Sequence, residues 1–232
     1  MKPRSRTIPP PRAVARLPSL RGAAIALALC GALAGCSILG SGNRGERSTI
    51  FAPDPRADVA ASAPTVSWQL ALVPPTGARA IDSYRIAVRP TPGELQVYRG
   101  ATWAKTPADM LQDALLRALE DSGKIAAVAR QGAGISSDYR LLVDLRRFEA
   151  DYDGAAVPSV VIEFNAKLVH PVDQAIVASR TFLHAEPAAG VEVPPVVDAF
   201  SRGLEAVTSE LAGWILVSGD AHQRQAHPGQ RP

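Results

Sequence analysis

The clearest reactive residue in this sequence is a cysteine near the N-terminus. Leu33-Ala-Gly-Cys36 resembles the bacterial lipobox, in which diacylglycerol is attached to the cysteine sulfur and cleavage occurs just before that cysteine. The uncharged apolar run 22–33, which precedes it, is shorter than the roughly 20 residues that a bilayer core requires. We therefore expect a signal peptide over residues 1–35 and lipid attachment at Cys36, with a cysteine inside an ordinary cleavable signal as the alternative.

Charge and cysteine content narrow the class of protein further. The first 35 residues hold 6 basic residues and no acid, which leaves 19 basic against 22 acidic residues in the rest of the chain. The net charge of +3 therefore belongs to the leader, and we expect no nucleic-acid partner. Cys30 leaves with the signal and Cys36 takes the lipid, so no thiol remains for a disulfide, a nucleophile or a metal. Ser37, where an aspartate would mark retention in enteric bacteria, favours the periplasmic face of the outer membrane.

Motifs for catalysis are incomplete. Gly132-Ala-Gly134 lacks the third glycine of a dinucleotide fingerprint, and Ser122-Gly-Lys124 lacks the first glycine of a phosphate loop. The sequence has no Gly-x-Ser-x-Gly elbow, which is the commonest signature of serine hydrolases. We expect no catalytic residue and no enzyme activity.

Three alternating acids could be imagined as the carboxylate pair of a glycosidase: Glu149, Asp151 and Asp153. They alternate with Phe148, Ala150 and Tyr152, so we interpret them instead as the solvated face of a half-buried strand.

The remaining polar candidates carry weaker signals. The histidines lack the spacing or clustering of a metal site: His170 in a turn, His184 at a strand end, and His222 and His227 in a tail. Arg146-Arg147 could bind a lipid phosphate, although a solvated or bulge-stabilising pair is the commoner arrangement. We expect no metal and no cofactor.

The elements that would position these residues follow from hydrophobic periodicity. Alternation predicts strands over 66–72, 84–88, 125–129, 138–152, 160–168 and 175–183, with a short extended piece at 95–97. In the strand 138–152 the apolar face changes from odd to even numbers, which predicts a β-bulge near Arg146-Arg147. Thr106-Pro107 predicts the start of a helix that ends at Gly123.

A second helix is predicted by apolar residues at steps of three and four: Val197, Phe200, Leu204, Val207, Leu211 and Trp214. We interpret this stripe as core, with a partner-binding face as the alternative. The fold class is therefore α/β, with α+β as the alternative, and two main amphipathic helices pack on a mixed sheet. Composition assigns residues 36–65 to a lipidated flexible tether, 66–217 to one folded domain and 218–232 to a disordered tail.

Ordered short matches along the chain carry a family resemblance. They are Ile86 to Pro90, Glu94 to Tyr98, Trp103 to Pro107 with Met110-Leu111 and Leu115, Ser122 to Ile125, Asp138-Tyr139, Asp144 to Arg146, Phe148, and Val196-Val197 to Phe200 and Trp214. In these segments the sequence resembles the ABC-type transport auxiliary lipoprotein components, the PqiC-like proteins. Trp68 departs modestly from the tyrosine common at that strand.

The resemblance implies a non-catalytic role. It implies an envelope lipoprotein that is the partner of an MCE-domain (MlaD-like) protein in an ABC system moving phospholipid or other hydrophobic molecules. A subunit that docks around such an assembly is also expected to form a homo-oligomer. The alternatives are a structural envelope lipoprotein that binds peptidoglycan or a secretin, and a periplasmic lipoprotein enzyme with an unrecognised site.

Overall fold

A computed structural model describes residues 48–134 and 136–226. In these residues one sheet of nine strands is combined with two helices. The elements are β1 (Thr49–Phe51), β2 (Val66–Leu72), β3 (Thr76–Gly77), β4 (Arg85–Arg89), β5 (Gln96–Trp103), α1 (Pro107–Ser122), β6 (Ile125–Arg130), β7 (Tyr139–Asp151), β8 (Ser159–His170), β9 (Ala175–Pro187) and α2 (Val193–Ala226). The predicted mixed sheet with two helices, an α/β fold, is confirmed.

The long strand β7 organises the sheet. Along one edge it pairs antiparallel with β8, which pairs antiparallel with β9. Along its other edge it pairs in parallel with β2, then β3, then β4 at successive heights. Strand β6 lies outside β2, while β5 and then β1 lie outside β4. Strand β7 thus joins the antiparallel strands β8 and β9 to the strands that pair along its other edge.

The predicted bulge in β7 is confirmed. Leu145 pairs with Phe164 and Arg147 pairs with Glu163, which leaves Arg146 as the extra residue. Leu145 and Phe148 are both buried on either side of it. The bulge therefore keeps the apolar face of β7 toward the core although the numbering changes parity.

Helix α1 begins and ends where the sequence predicts. The Thr106 hydroxyl accepts a hydrogen bond from the Asp109 amide at 3.4 Å, and Pro107 takes the first helical position. Gly123 ends the helix in the left-handed region at φ 61°, where a side chain would be strained. The buried face of the helix includes Met110, Leu111, Leu115 and Leu119.

Helix α2 forms core, as predicted, but extends further than predicted. Five residues of the stripe are buried, and Trp214 is half-buried with its ring edge-on to Phe182 at 5.7 Å. The expected tail from residue 218 is wrong as far as Ala226, because the helix continues through it. A Cβ on Gly219 would lie 2.3 Å from Trp68 Cζ2. Helix α2 can therefore pack this closely on Trp68 only because residue 219 has no side chain.

The N-terminal boundary of the domain also differs from the prediction. The expected tether is wrong from Thr49 on, because β1 pairs with β5 and the following segment packs on both helices. Asp54 forms an ion pair with Arg117, and the Arg56 amide donates to Glu205 Oε1 at 3.2 Å. A strand of three residues is too short to show alternation. The expected signal peptide over residues 1–35 and Cys36 lie outside the described residues.

Candidate functional surface

Helix α2 covers one face of β8 and β9 and leaves the other face accessible. The even-numbered residues of β8 are buried, and Ile162 lies beneath α2 at Gly203. The opposite side, which we call the open face, carries Glu163, Asn165 and Lys167 of β8 with their partners on β9: Leu183, Thr181 and Ser179. Leu183 is 63% exposed. This face offers a mixed polar and apolar surface for contact with another molecule.

Strand β9 adds an unpaired edge to the open face. Among the described residues its 13-residue strand pairs only with β8. Ile176, also on β9, is 59% exposed. A long edge presents a row of backbone N–H and C=O groups on which another strand can pair. The edge and the exposed apolar residues together are the features expected of a docking element.

The carboxylates predicted to be solvated are not equivalent. Glu149 is fully buried, which corrects that prediction. Its carboxylate accepts hydrogen bonds from Arg89 Nε at 2.8 Å, Arg89 Nη2 at 3.0 Å and Arg147 Nε at 2.8 Å. Asp151 is ion-paired with Arg147, and Asp153 is exposed in the turn. Because both oxygens of Glu149 are held by guanidiniums, the arrangement is a structural ion-pair network.

The two consecutive arginines have separate roles. Arg147 joins Glu149 to Asp151 across the strand surface. Arg146 is exposed, with its nearest carboxylates at 3.6 Å on Glu163 and 3.8 Å on Asp144. The geometry therefore favours a structural ion pair for Arg147 and a solvated position for Arg146 over the lipid-phosphate interpretation.

A cluster of rings connects the last turns of α2 to the sheet. The Tyr139 hydroxyl lies 2.9 Å from His222 Nδ1, and the His222 ring centroid lies 5.2 Å from that of His170. His170 Nδ1 lies 2.9 Å from Asp173 Oδ1, and this hydrogen bond lowers the pKa of Asp173. Burial raises the pKa of Tyr139 to about 12. His222, expected in a tail, is therefore a packing residue of the domain.

The other histidines complete the comparison with the sequence. His184 lies within β9 beside Glu186, with Nε2 3.3 Å from Oε2, and His227 lies outside the described residues. In the described part of the chain, no group of three His, Cys, Asp or Glu residues is arranged to hold a metal ion. Nor does any helix there have the length and apolar character needed to cross a membrane.

Sequence reasoning missed the residues that act through long-range pairing. Arg89 reaches Glu149 from a strand 60 residues earlier in the chain, and Leu183 belongs to an edge only because nothing described pairs beyond β9. An arginine at the end of an apolar strand was the one available signal for Arg89.

Comparison with known proteins identifies the family of this chain. The model of the family described as ABC-type transport auxiliary lipoprotein component matches residues 49–212. Among curated proteins, an uncharacterized protein of Bradyrhizobium diazoefficiens is 28% identical over 191 residues, which is 82% of this chain and 51% of that protein. The chain therefore spans about half the length of this relative.

Solved structures share the fold. A crystallised Xanthomonas campestris protein of the DUF330 family is 53% identical, with a TM-score of 0.74, over 76% of this chain and 99% of that one. A second crystallised protein, uncharacterized, is 16% identical with a TM-score of 0.57, over 72% of this chain and 98% of that one, and this similarity shows the fold alone.

Proposed function

Because this chain belongs to the ABC-type transport auxiliary lipoprotein component family, we propose that it is the lipid-anchored, non-catalytic docking subunit of an MCE-type ABC transport system. Its partner is an MCE-domain (MlaD-like) protein, and the cargo is phospholipid or another hydrophobic molecule. The family match over most of the folded domain is the observation that carries this proposal. Docking requires a rigid surface rather than an active site, and the open face with the β9 edge supplies such a surface.

The same surface supports a homo-oligomer. A free strand edge and exposed Ile176 and Leu183 are more than a solitary domain needs, because natural proteins protect long edges. Copies repeated around the axis of a transport assembly would each cover part of this surface.

Substitution on the open face tests this proposal. Leu183→Asp places a charge at the exposed centre of β9 and should reduce both the oligomer mass by light scattering and the recovery of the MCE protein in a pull-down. Val217→Asp is the matched control, because Val217 is an exposed apolar residue of α2, which lies on the other side of the sheet from the open face. An unchanged oligomer and an unchanged pull-down with Leu183→Asp would remove β9 from the docking surface.

The anchor is a second part of the proposal. Lipid attached at Cys36 would hold the domain at the periplasmic face of the outer membrane, as Ser37 favours. Cys36→Ser should abolish labelling by a palmitate analogue and release the protein from the membrane fraction. Continued labelling of that variant would place the lipid elsewhere.

The segment between Cys36 and the first strand is shorter than the predicted tether of residues 36–65. Thr49, the first residue of β1, follows Cys36 by 13 positions, which spans at most about 45 Å when fully extended. Lipid at Cys36 would therefore keep Thr49 within about 45 Å of the membrane.

A further inference from the structure

An open groove lies on the domain beside strands β4 and β5. It has a volume of about 420 Å³ and is lined by Arg79, Ala80, Ser83, Arg85, Leu95, Gln96 and Val97. Two guanidinium groups thus border a groove whose other side carries aliphatic side chains. This combination differs from the mixed charges of the open face on β8 and β9.

The two arginines of the groove have no ion-pair partner among the described residues. Nine other arginines in that part of the chain are paired with carboxylates: Arg56, Arg89, Arg117, Arg130, Arg146, Arg147, Arg180, Arg202 and Arg224. Because the chain beyond the leader is acidic overall, partners for cations are plentiful. Arg99 and Arg140 of the described residues also lack an ion-pair partner, but only Arg79 and Arg85 line the same groove.

The acids next to the lining residues in the sequence form hydrogen bonds elsewhere. Asp82 Oδ1 accepts a hydrogen bond from the Ala108 amide at 3.0 Å, at the first turn of α1. Glu94 accepts from the Thr91 hydroxyl at 3.1 Å and from Gln96 Nε2 at 2.5 Å, and these hydrogen bonds lower its pKa. Glu94 precedes the lining residue Leu95 in the chain, but it forms no ion pair with Arg79 or Arg85.

The backbone that presents the arginines is fixed at several points. Ile81 is buried in the core between Arg79 and Arg85. A Cβ on Gly77 would lie 3.3 Å from Leu145 Cβ, so the segment approaches β7 closely. The Arg85 amide donates to the Ser83 hydroxyl at 3.3 Å, and Arg85 pairs with Thr102 of β5. The two guanidiniums therefore extend from ordered backbone.

We propose that Arg79 and Arg85 bind the phosphate of anionic phospholipids at the surface of the membrane that carries the anchor. This inference rests on the part of the proposed function that attaches lipid at Cys36. Guanidinium pairs bidentately with phosphate, and a basic cluster held near a bilayer gains affinity from anionic lipids. The groove thereby orients the domain on the membrane.

The position of the groove relative to the chain's entry supports a membrane ligand. Ile50 of β1 pairs with Thr102, which pairs with Arg85, so entry strand and groove lie in one row of the sheet. The limit of about 45 Å from Cys36 to Thr49 keeps this row near the lipid surface. Ile50 is 69% exposed and Tyr84, next to Arg85, is 57% exposed, and such side chains suit the bilayer interface.

Vesicle binding tests the site. The chain from residue 36 on, with Cys36→Ser, retains the whole folded unit and removes the lipid. It should cosediment with phosphatidylcholine vesicles that contain phosphatidylglycerol, and much less with phosphatidylcholine alone. Arg79→Gln and Arg85→Gln should each weaken binding about fivefold, since one cation near an anionic surface is worth about that factor. Added salt should weaken binding as well.

Arg140→Gln is the matched control. Arg140 is also exposed and without an ion-pair partner among the described residues, but it lies at the start of β7. Its substitution should leave vesicle binding unchanged. Equal losses of vesicle binding for Arg140→Gln and Arg85→Gln would overturn the site. Binding that is the same with and without phosphatidylglycerol would also overturn it. The MCE pull-down in detergent does not depend on this contact, so its result judges the transport proposal separately.

Discussion

The two halves of β7, on either side of Arg146, differ in how they use the face turned away from the helices. Before the bulge that face carries Arg140, Leu142 and Asp144, which are all exposed. After the bulge it carries Arg147, Glu149 and Asp151, which form a dense ionic network around a fully buried carboxylate. The same strand and the same face therefore provide two different environments.

The neighbouring strands explain the difference. Beside the second half, β4 pairs through Arg89 and Asp151, and it places the Arg89 guanidinium on Glu149. Beside the exposed residues of the first half, β2 places Ala71 next to Arg140 and β3 places Thr76 next to Asp144, and neither neighbour carries a charge. Alternation in a strand thus determines which face a side chain takes, whereas the adjacent strand determines whether that side chain is buried.

Removal of Glu149 should give the largest difference between the two halves. Glu149→Ala leaves two arginines facing each other without their carboxylate, and we expect a loss of about 3 kcal/mol in the free energy of unfolding. Asp144→Ala in the first half removes only an exposed pair and should cost less than about 0.5 kcal/mol. Urea unfolding measures both, and equal losses would show that the network is not a special feature of the second half.

Packing at Tyr139, the first residue of β7, can be tested by a substitution in α2. Gly219→Ala would place a methyl group against Trp68, which packs edge-on to Tyr139 at 4.8 Å, and should cost about 2 kcal/mol. Gly213→Ala is the matched control, because a Cβ there meets nothing within 4 Å. It should stabilise the helix by up to about 1 kcal/mol. Thermal melts in which both variants shift the same way would contradict the contact.

Alkaline titration should report on Tyr139 itself. Burial raises its pKa from the usual 10.0 to about 12 in the folded chain, so the neutral phenol is favoured by folding. Its contribution to stability is complete below about pH 10 and is lost as the pH rises toward 12. Phenolate absorbance measures the titration, and unfolding curves at several pH values measure the change in stability. Tyr139→Phe should remove that component of the pH dependence. An unaltered alkaline profile in the variant would assign the effect to another group.

The smallest effect is expected at the bulge residue. Arg146→Ala should change the free energy of unfolding by less than about 0.5 kcal/mol, because the side chain makes only long, exposed ion pairs. The extra residue in the backbone, rather than its guanidinium, preserves the register. Chemical denaturation checks this, and a loss above about 1 kcal/mol would mean that the aliphatic stem packs on the strand.

Local patterns predicted the elements whose causes are local. Helix α1 follows from Thr106, Pro107 and Gly123, and the bulge follows from the parity change at Arg146, since each is read within a few residues. Strand β1 and the burial of Glu149 could not be predicted, because both depend on strands brought alongside by the fold. Gly219 carries no hydrophobic signal, yet it permits the closest approach of α2 to Trp68.

The candidate functional features likewise include one that a local motif predicts and others that only the folded sheet reveals. The lipobox-like sequence at Cys36 is a contiguous motif, so it was available from the sequence, and it stays a prediction. The free edge of β9 and the groove of Arg79 and Arg85 require the pairing of the whole sheet to be known. Their residues are ordinary in type, and only the absence of neighbours among the described residues distinguishes them.

The parallel attachment of β2, β3 and β4 to β7 also affects how the newly synthesised chain folds. Leu70 pairs with Tyr139, so a strand that is synthesised early meets its partner only after many more residues have followed. Strands β7, β8 and β9 are joined by short turns and pair antiparallel, so we expect this hairpin series to form first. Until then the N-terminal strands expose unpaired backbone. Folding of this domain therefore depends on solubility during that interval, and an envelope holdase that binds extended apolar segments would have its longest opportunity there.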